Sequence, residues 1–353
     1  MNRTVTLLAG LLLLIPALSP RACQICVPFP KTSVADILLT GNTVVLARED
    51  PDRPFHFKAI ETLKGESDHG EIDLFLNSPI RRTLEMNPEQ SVVLVKQTVD
   101  QKTIWHNVGI ADKKYKSFVH DILKAGQTWK EQKRARILFF SQHLGSSHSA
   151  ISKQSLLEVG RAPYSEIRKL GDALSREQLW SFLNNSRYIE WHALHILLLA
   201  QSKNAEDQQW IKKSFRSATQ SDSTVRLAAL ATAAIELEGK KAVTFIEEQY
   251  FRNSTRTPKE LSEIAKALSV HGTHGSAELQ NQIVSSYGTL LKLNPGMTPQ
   301  IAKDLIAWKR HEYAHQFDAF LKANPLSFEL ADSLELRAYI RRAQKNRNTP
   351  IAN

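Results

Sequence analysis

The hydrophobic pattern changes period once along the chain. Over residues 31–110 apolar positions alternate with polar ones or gather in short runs. Asn42–Ala47 is a β-branched, apolar run, and Phe55–Leu63 places Phe55, Phe57 and Ala59 on one face. Ile72, Leu74 and Leu76 alternate with Asp73, Phe75 and Asn77. Ser91–Val95 is continuously apolar, and Thr103–Val108 follows a polar turn at Asp100-Gln101. Five short strands at this spacing predict a small barrel or sandwich, for which a five-stranded OB-like β-barrel is one solution.

From Asp112 onward the period is helical. Tyr115, Phe118, Val119, Ile122 and Leu123 form an i, i+3, i+4, i+7, i+8 stripe. Further apolar segments follow at Ile137–Phe140, Leu179–Phe182, Leu194–Ala200, Leu227–Leu237, Val243–Phe251, Leu261–Val270, Leu279–Leu293, Ile301–Trp308 and Tyr313–Leu321. Gly160, Pro163, Gly171, Gly239, Pro258, Gly272, Pro295-Gly296, Pro299 and Pro325 punctuate them at about one helix length. This predicts antiparallel helices joined by short loops, each burying its apolar face only against its neighbours. Within it, Val225-Arg226-Leu227-Ala228-Ala229-Leu230 resembles the helix of a HEAT repeat. That resemblance implies a HEAT-like α-solenoid in which Arg226 reaches a neighbouring carboxylate. The fold class expected is mainly α with an N-terminal β-domain.

The first residues carry a different signal. Asn2-Arg3 is a short basic start, Val5–Ile15 an apolar run, and Pro16–Ala22 a small, helix-breaking stretch, the three-part layout of a secretory signal peptide. The run is shorter than the roughly 20 residues of a membrane span, and no second such run follows, so no transmembrane segment is expected after signal removal. Cleavage after Ser19 leaves Pro20 first, and cleavage after Ala22 leaves Cys23 first. Ala22-Cys23 also admits lipidation of Cys23, although the usual upstream leucine is missing. The expected division is residues 1–22 as signal, 23–111 as a small β-rich domain, 112–345 as the helical-repeat domain and 346–353 as a disordered tail. An address in the periplasm, at the cell surface or outside the cell follows.

Cys23-Gln24-Ile25-Cys26 supplies the only two cysteines, which excludes a disulfide-dense scaffold. Val27 stands where c-type haem attachment needs histidine. Val27-Pro28-Phe29-Pro30 follows, which cannot open the helix a thioredoxin-type pair sits on. A structural disulfide between Cys23 and Cys26 is the leading reading, and a thiol redox protein is an alternative.

Charge adds a partner class. The chain has a net charge of +10, which falls to +8 without Arg3 and Arg21. Such an exported protein can meet anionic lipid headgroups or cell-wall polymers. Arg337, Arg341, Arg342, Lys345 and Arg347 form a dense cluster near the end, where cations also suit a helix C-terminus. No nucleic-acid-binding motif is present, so no specific nucleic acid is expected.

One motif could carry chemistry. His311-Glu312-Tyr313-Ala314-His315 is H-E-x-x-H. On a helix the two imidazoles would share one face and one Zn²⁺, with Glu312 as general base. Glu335, 20 residues beyond His315, is a candidate third ligand. Against this, Lys309-Arg310 precede the motif, and cations beside a zinc site oppose the metal's charge. The residues upstream read as helices rather than as a substrate-binding sheet. His192 and His195 read as packed or rim residues, and His271–Gly275 as a loop with a weak metal signal.

Taken in order, the features are the export signal, Cys-x-x-Cys, an Ala35-Asp36…Gly41–Ala47 strand, Leu63-Lys64-Gly65, Trp105, Gly160–Ile167 and then the helices. This order resembles a group of exported bacterial proteins with a small β-domain and a HEAT-like helical region. The resemblance implies that architecture and carries no activity. The β-domain is also similar in outline to the netrin module of metalloproteinase inhibitors. There a free amino-terminal cysteine caps a protease zinc, a part that only Cys23 could take, while the module's stapling cysteines are absent. The function expected is an exported, non-enzymatic interaction or scaffold protein of the bacterial envelope. It would bind an envelope protein or an anionic surface through its helical repeats, without a cofactor. A zinc metallopeptidase using His311, Glu312, His315 and Glu335 is the alternative.

Overall fold

The computed structural model describes residues 25, 32–68, 70–100, 102–324 and 330–348. The export signal, Cys23 and Cys26 lie outside the described residues, as do residues 349–353 of the expected tail. The molecule is mainly helical, with one small antiparallel sheet near the N-terminus.

The sheet has four strands in the order β2-β1-β3-β4, with β1 Thr43–Asp50, β2 Arg53–Lys64, β3 Ser91–Val99 and β4 Lys102–Ala111. Its central register pairs Val45 with Leu94 and Val93 with Gly109. β1 and β3 read as continuous apolar runs because both faces of the sheet are covered. Val44, Leu46, Val93 and Val95 point into the main core. Val45, Ala47, Val92 and Leu94 point into a smaller core with Phe57, Ile72, Leu76, Leu84 and Trp105. Successive residues on opposite faces are the period-2 geometry of a strand.

Two expectations for this region are corrected. The fifth strand does not form, since Ile72–Leu76 contributes a single bridge, His56 to Phe75, and then lies over the small core. Among the described residues no ladder joins β2 to β4. Two helices also stand within the region expected to be β-rich. α1 (Val34–Thr40) starts at a capping box in which Ser33 and Asp36 satisfy each other's backbone amides, so Ala35-Asp36 is helix rather than strand. α2 (Ser78–Met86) starts at Asn77, whose side chain accepts from Ile80 N, with Pro79 in the first turn.

Helices then follow one another: α3 Lys113–Ala125, α4 Lys133–Ser141, α5 Ser149–Gly160, α6 Tyr164–Ile167, α7 Arg176–Leu183, α8 His192–Leu199 and α9 Ala205–Ser217. The series continues with α10 Leu227–Glu238, α11 Lys240–Ile246, α12 Pro258–His274, α13 Ala277–Leu293, α14 Thr298–Ala307, α15 Ala314–Ala323 and α16 Leu330–Asn348. The last of these continues past residue 345, where the tail was expected to begin. α10 is the centre of the helical part. Every residue from Leu227 to Ile235 is buried, and the helix packs against α8, α9, α11 and α12. A helix apolar all round belongs inside a core. Arg226 stands just before it at φ 65°, exposed and, among the described residues, without an ion pair, instead of reaching a carboxylate from within the helix. His271 and Gly272 are not a loop either. They complete α12, with Gly272 buried against the Trp308 indole.

The main core is continuous from α1 and the inner sheet face through α3 to α16. The sheet and the first helices therefore fold against each other, and the groove described next forms where they meet.

Candidate functional site

A groove of about 1030 Å³ opens at the junction of α1, the end of β2, α3 and the start of α4. α3 supplies one wall. Its apolar stripe Tyr115, Phe118, Val119 and Ile122 is buried, which turns His120 and Lys124 outward at i, i+4 spacing, with Leu123 between the two faces. The Lys116 ammonium ties this helix to Glu61 of β2 at 2.5 Å. At its C-cap Gly126 lies in helical conformation so close to α1 that a Cβ would stand 2.1 Å from Leu39 Cδ2 and 2.7 Å from the Ile122 carbonyl oxygen. Only glycine lets the two helices meet there. The turn that follows places Gln127, Trp129 and Lys130 on the groove, and the first residue of α4 adds Lys133.

α1 supplies the opposite wall and is fixed by charge. The Asp36 carboxylate accepts from Arg136 Nη2 at 2.7 Å and Arg161 Nη1 at 2.8 Å, and its Oδ2 also accepts from the Ser33 amide at 2.9 Å. Burial works to raise this carboxyl, but the Ser33, Arg161 and Arg136 hydrogen bonds outweigh it and hold the group far below the usual carboxylate range. Arg136 also donates Nε and Nη2 to the buried Glu158, at 2.9 and 2.8 Å. At the other end of α1, Lys64 Nζ donates to the carbonyls of Leu39 at 2.8 Å and Leu38 at 3.3 Å, groups that a helix C-terminus leaves unpaired. Burial, with Lys130 nearby, lowers the Lys64 pKa.

The electrostatic balance is one-sided. Lys64, Lys124, Lys130, Lys133 and Arg136 line the groove against a single carboxylate, Asp36, which two guanidinium groups already neutralise. Among the described residues Lys124, Lys130 and Lys133 have no carboxylate within 4.0 Å. Beneath them Leu39, Leu63, Leu123 and Trp129 make an apolar floor. Trp129 is only 5% exposed. Its ring packs on Phe139 and Phe140 at 5.3 and 5.5 Å, with the Arg136 guanidinium 5.7 Å from it. Free cations over an apolar floor can hold an anion and bury whatever apolar part it carries.

The residues singled out from the sequence do not converge on a comparable site. α14 ends in a Schellman motif: Arg310 N bonds to the Leu305 carbonyl, Lys309 N to the Ile306 carbonyl, and Lys309 takes φ 57°. His311 therefore lies in a turn, α15 begins only at Ala314, and the two imidazoles are not spaced by one helical turn. His311 stacks on Tyr339 of α16 at 4.8 Å. Glu312 pairs with Arg310 at 2.5 Å. Burial works to raise that carboxyl, but Arg310 lowers it, the opposite of what a general base near neutral pH needs. His315 is exposed beside a recess of about 60 Å³, and Glu335 is exposed on α16. Among the described residues no three His, Cys, Asp or Glu side chains are grouped to hold a metal. His192, His195 and His271 are all buried. Arg337, Arg341 and Arg342 lie on the exposed face of α16.

The groove was missed in the sequence although part of its signal stood there. Lys124, Lys130, Lys133, Arg134 and Arg136 fall within one short segment whose only acid is Glu131. Leu39, Leu63 and Lys64 reach the site through tertiary packing. Among the described residues no helix is long and apolar enough to cross a membrane. Comparison with protein-family models, with curated proteins and with solved structures gives no match.

Proposed function

We propose that the protein is an exported, non-enzymatic binding protein for an anionic partner, and that the groove between α1, β2, α3 and α4 is its site. The observation that carries this reading is the set of Lys124, Lys130 and Lys133, without a carboxylate partner among the described residues and converging on one cavity. The helical part is read as a HEAT-like solenoid that supports the groove. Its support is the packing of successive helices on one another, as in α7 on α8, α10 on α11 and α12 on α13. The open strand order supports a sheet rather than an OB-like barrel. The site thus shifts from the helical repeats to their junction with the sheet.

The test is titration with 1-naphthyl phosphate at low and high salt. It compares the native protein with Lys124→Ala/Lys130→Ala/Lys133→Ala and with Arg337→Ala/Arg341→Ala/Arg342→Ala, which removes the same charge elsewhere. Three exposed charge contacts of roughly 0.5 kcal/mol each weaken binding by about tenfold when lost. Binding should fall with salt as the charges are screened. Equal affinity in the two variants refutes the groove as the site.

A further inference from the structure

We propose that the ligand of this groove is a single-chain anionic amphiphile: an alkyl tail over Leu39, Leu63 and Leu123, with its head among Lys124, Lys130 and Lys133. This rests on the reading above and gives the ligand a chemical class. The argument starts from the floor. The three leucines come from three different elements, α1, β2 and α3, and each is left half-buried where they face the same cavity. Apolar side chains that converge from separate elements and stay partly wet gain most from a ligand that covers them together.

The shape of the apolar part follows from Trp129. A ligand that stacks on this indole would need a free ring face, but Phe139, Phe140 and Arg136 already occupy it and it is almost wholly buried, so naphthyl phosphate would be held by its charge alone. The surface left to a ligand is aliphatic, and a flexible alkyl chain fits it. The head follows from charge. Asp36 is neutralised by Arg136 and Arg161, and Lys64 is engaged with the α1 carbonyls. The three lysines on the rim remain available to a phosphate or a carboxylate. An alkyl phosphate, a lysophospholipid and a fatty acid share this chemistry.

The experiment is calorimetric titration of the full protein with octyl, decyl and dodecyl phosphate, each below its micelle-forming concentration. Each methylene that enters the floor should tighten binding by about fourfold, so a step of two methylenes gives roughly fifteenfold. Leu63→Ser and Leu123→Ser, made separately so that one folding failure leaves the other, should flatten this ladder. Lys130→Ala/Lys133→Ala should lower every rung by one common factor and leave its slope. Dodecyl maltoside, with the same tail and no charge, should bind at least tenfold more weakly than dodecyl phosphate. Laurate and lauroyl-lysophosphatidylglycerol then separate a carboxylate head from a phosphodiester head. A flat ladder with naphthyl phosphate still bound overturns this inference and leaves the proposed function standing. Equal binding of dodecyl maltoside, or a ladder unchanged in both leucine variants, also overturns it. If neither naphthyl phosphate nor any alkyl phosphate binds, both readings fall together.

Discussion

Acid should unfold the helical part through two buried histidines. His271 is 3% exposed between α12 and α10, with Nε2 2.9 Å from the Thr232 carbonyl and its ring edge-on to Tyr164. His195 is fully buried in α8, stacked on Phe182 at 4.7 Å. Burial disfavours both imidazolium forms and lowers each pKa from 6.5 to about 4. Because the folded pKa lies below the unfolded one, the unfolded chain binds more protons between these values. Stability is therefore full above pH 6.5 and is lost as pH falls towards 4. Between pH 7 and pH 5 each histidine removes about 2 kcal/mol, and the pair about 4 kcal/mol, a large share of a typical folding free energy. Carboxylates held low, such as Asp36, have the same sign but act below their unfolded values near 4, so this window reports on histidines, with the half-buried His143 and His274, also lowered by burial, adding to the shift that remains in the variant. The assay is guanidinium unfolding at both pH values, followed by far-UV circular dichroism and tryptophan fluorescence. It compares the native protein with His195→Leu/His271→Gln. The native midpoint should fall sharply at pH 5, and the variant's should move by less than half as much, whatever its stability at pH 7. An equal shift in both proteins would refute the reasoning.

Two other substitutions probe how the groove and the helical part are held. Asp36→Asn removes the carboxylate shared by Arg136 and Arg161. It should lower stability by about 2 kcal/mol, less than the roughly 3–5 of a fully buried pair because the side chain is 23% exposed. Thermal unfolding should show this loss at pH 5 as at pH 7, since Asp36 is ionised at both. Gly272→Ala would set a Cβ 2.1 Å from the Trp308 indole, which stacks on Tyr287 at 5.8 Å and donates to Thr273 Oγ1 at 3.0 Å. A loss of about 1–3 kcal/mol in denaturant unfolding is expected. Trp308→Leu in the same chain should return part of it, and additive losses would show that the two residues do not meet.

What could be read from the sequence followed the range of the interactions involved. β1 and β3 were legible because a short apolar run needs no partner to identify it. The onset of helix at Asp112 was legible because one apolar stripe fixes the period. α1 and α2 were passed over although Ser33 with Asp36, and Asn77 with Pro79, are local start signals. The surrounding strand-like residues outweighed them. The Schellman end of α14 was not legible, because Lys309 takes the left-handed position that glycine usually marks. Without that break, H-E-x-x-H reads as one helical turn. Lys124, Lys130 and Lys133 stand out in the sequence as a basic segment, but charge density alone ranks the cluster on α16 above them. That Lys130 faces a cavity while Arg341 faces solvent is set by α1 and β2, far away in sequence.

The position of the groove follows from a core that ignores the expected boundary at residue 111. The inner face of the sheet, Val44, Leu46, Val93 and Val95, shares one hydrophobic cluster with Leu38 of α1 and with Phe118, Val119 and Ile122 of α3. Strands and helices are therefore joined by the same apolar contacts that close each of them. Polar links reinforce the joint: Lys116 to Glu61, Lys64 to the carbonyls of α1, and Arg136 and Arg161 to Asp36. Each link crosses from one part to the other or fixes α1 against the helices. The cations that hold these links are engaged by the groups they bind. Lys130 on the turn between α3 and α4 and Lys133 at the start of α4 have no such task, since among the described residues no carboxylate lies within 4.0 Å of either. A rigid apolar floor and an unpaired cationic rim thus arise side by side, from structural pairing on one wall and its absence on the other. That asymmetry distinguishes the groove from Arg337, Arg341 and Arg342, which stand on an exposed helix face.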